Sequence, residues 1–182
     1  IYTMHPAKGT LTPVGAAVSP PGSGPRHMKF SLDGKHAYVL NELTLSVTVF
    51  KRNSKTGALT EVQTVSVFEK GSEKDKMSCS EILVSKDGKF VYTGNRDLKG
   101  PERDSVSALA VQEDGTLKHL QTVSSGVWIV RNIALSPEGD FILASGQRSN
   151  QVTSIKVDPT TGKMTPTGHS TPVPKAMCVV FP

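Results

Sequence analysis

Two cysteines in 182 residues are too few for a disulfide scaffold, and Cys79 and Cys178 stand in no CxxC or Cys/His spacing that would bind a metal. Both fall at the start of apolar runs, so buried free thiols are expected. No apolar run approaches the eighteen or so residues that a membrane-spanning helix needs, and no membrane partner is expected. An excess of one charge is lacking too: 21 Lys and Arg against 16 Asp and Glu leave +5, with the basic residues scattered. That argues against a nucleic-acid surface and leaves a slight preference for anionic ligands. A serine-nucleophile motif, a P-loop and an HExxH zinc motif are all missing. The chain opens at Ile1 without a signal-like segment; a cytoplasmic location is the expectation, with any leader upstream of Ile1 left open.

What is present is repetition. Sixteen Gly and twelve Pro, with 36% hydrophobic and 20% charged residues, suit a turn-rich, all-β globular chain. The outline Gly24-Pro25-Arg26-His27, apolar strand, Asp33-Gly34-Lys35, second strand, Asn41-Glu42 returns around Asp87-Gly88-Lys89 and again around Glu138-Gly139-Asp140. A second unit, Gly-x-Leu or Gly-x-Met, recurs at Gly57, Gly115 and Gly162, with a further copy at Gly9. Alternating runs rich in Val, Thr, Ile and Phe precede and follow each of these turns, as half-buried strands should. Each repeat therefore reads as four strands. The acidic turn residues Asp33, Asp87 and Glu138 lie 54 and 51 residues apart, the period of a propeller blade.

The expected fold is all-β: an open partial β-propeller, about half of a ring. A partial blade occupies 1–19, three full blades span about 26–66, 80–124 and 131–171, and a closing inner strand covers 175–181. Propellers close with four to eight blades. The chain is thus expected to be the C-terminal part of one β-propeller domain, with missing N-terminal blades of the same protein as its partner. Of two longer loops, 68–77 reads as a solvated mixed-charge connection, and 97–104 as either a surface insertion or a lid.

The candidate site comes from positions where the repeats change chemistry. Six residues before each acidic turn residue stand His27, Glu81 and Asn132; nine after it stand Glu42, Arg96 and Gln147. Taking each turn's centre directly after its glycine, as between Gly34 and Lys35, makes these slots equidistant from the bend. His27 should then face Glu42, Glu81 face Arg96 and Asn132 face Gln147 across a hairpin, roughly 5 Å apart at Cβ. All six should gather at one end of the inner strands, with Arg26 and Arg131 adding positive charge. Glu81 with Arg96 reads either as catalytic or as a structural ion pair, and Asn132 with Gln147 either as ligand groups or as ties between blades. His5, His36, His119 and His169 read as structural or solvated.

Gly-Pro-Arg-His at 24–27, Tyr-Val-x-Asn-Glu at 38–42, the run Ser80–Tyr92, Gly-Asn-Arg at 94–96, Val-Arg-Asn at 130–132, Gly-Gln at 146–147 and Cys-Val-Val-Phe at 178–181 follow one another in order. Taken together, the sequence resembles the C-terminal half of the seven-bladed β-propeller lactonase family, which holds 6-phosphogluconolactonases and fungal carboxymuconate-lactonising enzymes. It departs from that pattern at Val130, where the family usually has Pro, and at Ser145-Gly146-Gln147, where Ala-Asn-Gln is usual. The resemblance implies a seven-bladed fold, no cofactor and no obligatory metal, and a site in the central cleft. It makes the expected partner a small anionic sugar lactone, most simply 6-phosphogluconolactone. Its hydrolysis requires a positioned water, a base and positive charge on the oxyanion. His27, oriented by Glu42, is the first choice of base and Glu81 the alternative; Arg96 or Arg131 would take the oxyanion or the substrate's anionic group, with Arg26, Asn132 and Gln147 binding substrate. A lactonising cycloisomerase and a non-catalytic propeller that binds a carbohydrate or a protein are the competing functions. Half a ring is expected to be inactive alone.

Overall fold

The computed structural model describes residues 1–181. Strands β1 (Tyr2–His5) and β2 (Thr10–Pro13) form a two-stranded sheet, joined through a short 3-10 turn at Pro6–Lys8. Three four-stranded antiparallel sheets follow. The first blade holds β3 (Pro25–Phe30), β4 (His36–Asn41), β5 (Ser46–Arg52) and β6 (Leu59–Ser66). The second holds β7 (Met77–Val84), β8 (Phe90–Asp97), β9 (Ser105–Val111) and β10 (Leu117–Ser124). The third holds β11 (Val130–Leu135), β12 (Phe141–Gly146), β13 (Gln151–Val157) and β14 (Met164–Pro172). In each blade the strands pair in sequence order, which is the expected open partial propeller.

The first turn of each blade is built from its own side chains. Ser31 Oγ donates to Asp33 Oδ1 at 2.7 Å, Lys35 N donates to the same oxygen at 3.0 Å, and Gly34 takes φ 66°. Ser85, Asp87 and Lys89 repeat the arrangement. In the third blade Asp140 replaces the turn residue, accepting from Ser136 Oγ at 2.9 Å. These turns close between Ser31 and His36, Ser85 and Phe90, and Ser136 and Phe141, so each bend is centred one residue earlier than the sequence suggests.

Blades pack face to face through two apolar clusters. Tyr38, Leu40, Val47 and Val49 of the first meet Cys79, Ile82, Val91 and Leu109 of the second; Tyr92, Val106 and Ala108 meet Ile133, Ile142 and Ile155 of the third. Amide side chains clamp the outer strands. Gln63 accepts from Leu117 N at 2.8 Å and donates to Leu117 O at 3.0 Å; Gln121 does the same with Met164, at 2.8 and 3.2 Å. The glycines of the Gly-x-Leu turns take positive φ, and two of them lie directly under a ring from the preceding blade, Gly115 under His36 and Gly162 under Phe90. His36 is thus the structural residue that its sister positions implied.

Some boundaries move. The second half of the N-terminal hairpin is β2 at Thr10–Pro13, while 14–19 forms no strand. The segment 175–181, expected as an inner strand, has no ladder partner among the described residues, because β1 and β2 pair only with each other. For the same reason Cys178 is exposed, whereas Cys79 is buried as expected. The 97–104 loop is a surface insertion pinned at both ends: Asp97 and Asp104 are 2% and 0% exposed, while Leu98, Lys99, Pro101 and Glu102 between them are exposed. Arg103 grips Asp97 through Nε at 2.7 Å and Nη2 at 2.9 Å, and Lys99 reaches Asp75 of the 68–77 loop at 2.7 Å.

Candidate active site

Each inner strand carries a bulge close to its start. The register slips between Pro25 and Met28, between Cys79 and Ile82, and between Val130 and Asn132, which places Arg26, His27, Glu81 and Arg131 in bulges. A bulge leaves a residue without a direct ladder partner and re-aims its side chain, which is why bulges accumulate beside functional sites. Here it turns the slot residues away from their own hairpins and toward the neighbouring blade.

The expected pairing is therefore corrected. His27 does not face Glu42, nor Glu81 Arg96. Instead His27 Nδ1 lies 2.9 Å from Glu81 Oε1, and Asn132 Nδ2 donates to Glu81 Oε2 at 3.1 Å. Asn132 Oδ1 in turn accepts from Val179 N at 3.1 Å. Like slots of successive blades thus form one hydrogen-bonded chain. The second set of slots behaves in the same way, with Arg96 Nη2 paired to Glu42 Oε1 of the preceding blade. Gln147 stands apart: its backbone N donates to Ile129 O at 3.0 Å, and it is not paired with Asn132.

Three arginines share this end of the blades. Arg26 Nε donates to Ser80 O at 2.8 Å and its Nη1 approaches Glu42 Oε2 at 3.4 Å. Arg96 is 9% exposed, donates to Cys79 O at 2.7 Å, and has no partner for Nε among the described residues. Burial lowers the affinity of Arg131 for its proton, and the charges of Arg26 and Arg96 lower it further. Arg131 forms no ion pair among the described residues, so its charge is available to an anion. Burial alone would push the Glu42 carboxyl up, but hydrogen bonds and charge from Arg96, then Arg26, outweigh it and hold Glu42 below its ordinary range. Glu42 therefore serves as a counter-ion. Glu81 already accepts from Ile82 N at 3.0 Å and from Asn132, with His27 on the same oxygen as Ile82. Its lone pairs are engaged, whereas the His27 side chain is 42% exposed and reaches solvent.

The thiol of Cys79 lies under Arg96, and burial pushes it up to about 12, too high for a nucleophile. No group of three or more His, Cys, Asp or Glu among the described residues is placed to hold a metal ion. A cavity of about 760 Å³ lies away from these slots, between the 68–77 loop and β10. A hollow of about 290 Å³, lined partly by Arg26 and His27, borders the slots. Sequence reasoning missed Asp97, Asp104 and Trp128, whose indole donates to Asp97 O at 3.2 Å. The only signal for them was an unusual pair of aspartates at the two ends of a loop.

Among the described residues, no helix is long and apolar enough to cross a membrane. A 6-phosphogluconolactonase of Bacillus subtilis is 33% identical over 183 aligned residues, covering 100% of this chain and 50% of the relative. A protein from Lactobacillus plantarum superposes with a TM-score of 0.89 at 28% identity, over 97% of this chain and 50% of that one. The periplasmic gluconolactonase of Pseudomonas aeruginosa gives 0.79 at 31% identity, over 94% and 44%. The chain spans about half the length of the relatives it matches. The profile of the family described as "Lactonase, 7-bladed beta-propeller" matches residues 1–181, and the chain belongs to that family.

Proposed function

We propose that the protein hydrolyses an anionic sugar lactone, 6-phosphogluconolactone to 6-phosphogluconate, at the end of the inner strands where His27, Glu81 and the three arginines meet. The observation that carries this reading is the contact of 2.9 Å between His27 Nδ1 and Glu81 Oε1. An ionised carboxylate only accepts, so Nδ1 holds the proton and Nε2 keeps its lone pair; the tautomer follows from the bonding partner. Glu81 thereby takes the orienting role first given to Glu42.

His27 Nε2 removes a proton from water as the water oxygen attacks the lactone carbonyl carbon. Glu81 stabilises the imidazolium that results, and Asn132 fixes Glu81. The negative charge that develops on the carbonyl oxygen is met by the Arg96 guanidinium. Collapse of the tetrahedral intermediate breaks the ring C–O bond, and the proton on His27 passes to the departing oxygen. Arg131 with Arg26 receives the phosphate, and Gln147 offers an amide to the sugar hydroxyls. The names of the relatives, 6-phosphogluconolactonase and gluconolactonase, support the substrate class.

The test is turnover by full-length protein without added metal, after subtraction of spontaneous lactone opening. His27→Asn should lower kcat about a hundredfold, within the usual reach of general-base catalysis. A base limb of the pH–rate profile that survived in this variant would move the role to Glu81. No rate above background on any sugar lactone would sink the reading, with closure of a muconate pointing to the cycloisomerase and no turnover at all to a binding module.

A further inference from the structure

Asp104 is the most deeply placed charge in the molecule, at 0% exposure, and neither base nor counter-ion uses it. Its two oxygens take backbone N–H groups from two different blades. Oδ2 accepts from Asp97 N at 3.0 Å, the residue after Arg96. Oδ1 accepts from Val130 N at 2.7 Å, the residue before Arg131. The carboxylate thus ties together the main chain beside two arginines of the site.

The sister blades show what this position does without a charge. The residue just before the third strand is Leu45 in the first blade and Asn150 in the third. Leu45 is simply buried, while Asn150 Oδ1 accepts from Lys175 N at 2.9 Å. Only the second blade places an acid here. The chain it holds is under strain, since Ile129, immediately before Val130, has φ 55°, a region that β-branched residues avoid. Trp128 completes the clasp by donating to Asp97 O.

We propose that Asp104 is the positioning residue that sets the spacing of Arg96 and Arg131, so that anion binding by this pair depends on the Asp104 charge. The proposal rests on the reading that these arginines receive the substrate's anionic groups. A neutral acid would turn an O–H, and an amide an N–H, toward a backbone N–H, and the clasp would open on one side.

Burial pushes the Asp104 carboxyl up to about 6, against the pull of the Val130 and Asp97 N–H groups; the Asp97 charge raises it and Arg96 lowers it. The other charged groups around it are Arg103 and Glu102 in its own loop, Glu69 and Glu73 across the cavity, and His119 on β10. Sulfate is the appropriate probe, because its charge does not change over the pH range concerned.

The experiment measures sulfate affinity of the full-length protein by titration calorimetry from about pH 4.5 to 8, with Trp128 emission followed in parallel against a Trp128→Phe blank. Asp104→Asn should weaken sulfate binding about tenfold at neutral pH and abolish the loss of affinity that wild type shows as pH falls through about 6. Unchanged sulfate affinity in the variant, or a wild-type pH dependence that persists in it, would overturn the proposal. Should the variant not fold, wild type decides alone: Trp128 emission and sulfate affinity must change together with a midpoint near 6, and an emission that does not move defeats the idea. Lactone turnover by wild type is a separate measurement. Its absence, with the sulfate result intact, removes the lactonase and leaves the positioning role.

Discussion

Glu42 sits between two guanidiniums, and that fixes how the protein should respond to acid. Its folded carboxyl is held below its ordinary range, so it stabilises the fold fully above the unfolded value of about 4.3 and loses that contribution as pH falls toward the folded one. Glu42→Gln should therefore be less stable near neutrality and show a shallower loss of stability below about pH 4.5. Urea midpoints across the acid range check this; a variant with the wild-type acid slope would mean that Glu42 is not the counter-ion. Arg131→Met should raise KM about tenfold or more with kcat little changed if the guanidinium holds the ground-state phosphate, and a fall in kcat at constant KM would place it on the oxyanion instead. The identity of these residues was legible because like positions of the three repeats differ while the apolar frame around them does not. Which residue meets which was not, since the bulges at 26–27, 80–81 and 131 depend on how blades pack rather than on any local pattern.

At the level of strands and turns, the Asp-Gly and Gly-x-Leu signals placed the hairpins correctly, and the four-strand blades followed from them. The glycines of the second kind of turn have a further duty that sequence does not announce. Gly9 and Gly162 both have φ above 60°, but a Cβ on Gly9 would meet nothing within 4 Å, whereas one on Gly162 would run into the Phe90 ring. Gly9→Ala should cost about 1 kcal/mol through the backbone alone. Gly162→Ala should cost about 1–3 kcal/mol more, from displacement of the ring. Denaturant midpoints of the two variants measure the difference; equal costs would mean that Phe90 moves aside freely. The amide clamp offers a matching check. Gln121→Ala removes two hydrogen bonds to Met164 and leaves its buried backbone N–H without a partner, an expected loss of about 1–3 kcal/mol.

Across the whole molecule, the burial of the inner strands rises once a preceding blade covers them. β3 is exposed along much of its length, with Met28 and Phe30 at 45% and 46%, while β7 is buried at Met77–Ser80 and Ile82. In the 182-residue chain, amide hydrogens of β3 should exchange at least tenfold faster than those of β7, because local opening there exposes little additional apolar surface. Mass spectrometry of exchanged peptides would show it, and equal protection would mean that blade stability does not depend on stacking. The overall architecture was legible from the 54- and 51-residue spacing alone. The segment 175–181 forms no strand, because a strand exists only with a partner and none of the described residues pairs with it.

The spacing has one more implication. Residues that touch in the site lie one repeat apart: His27 and Glu81 by 54 positions, Glu42 and Arg96 by 54, Glu81 and Asn132 by 51. Were the blades identical, every one of these contacts would join a side chain to its own copy, histidine to histidine and glutamate to glutamate. Like charges would then face each other around the axis, and no acid could orient a base. A ring of this construction acquires chemistry only as its copies drift apart, and any recombination that restored one blade to the sequence of its neighbour would erase the site while leaving the fold intact.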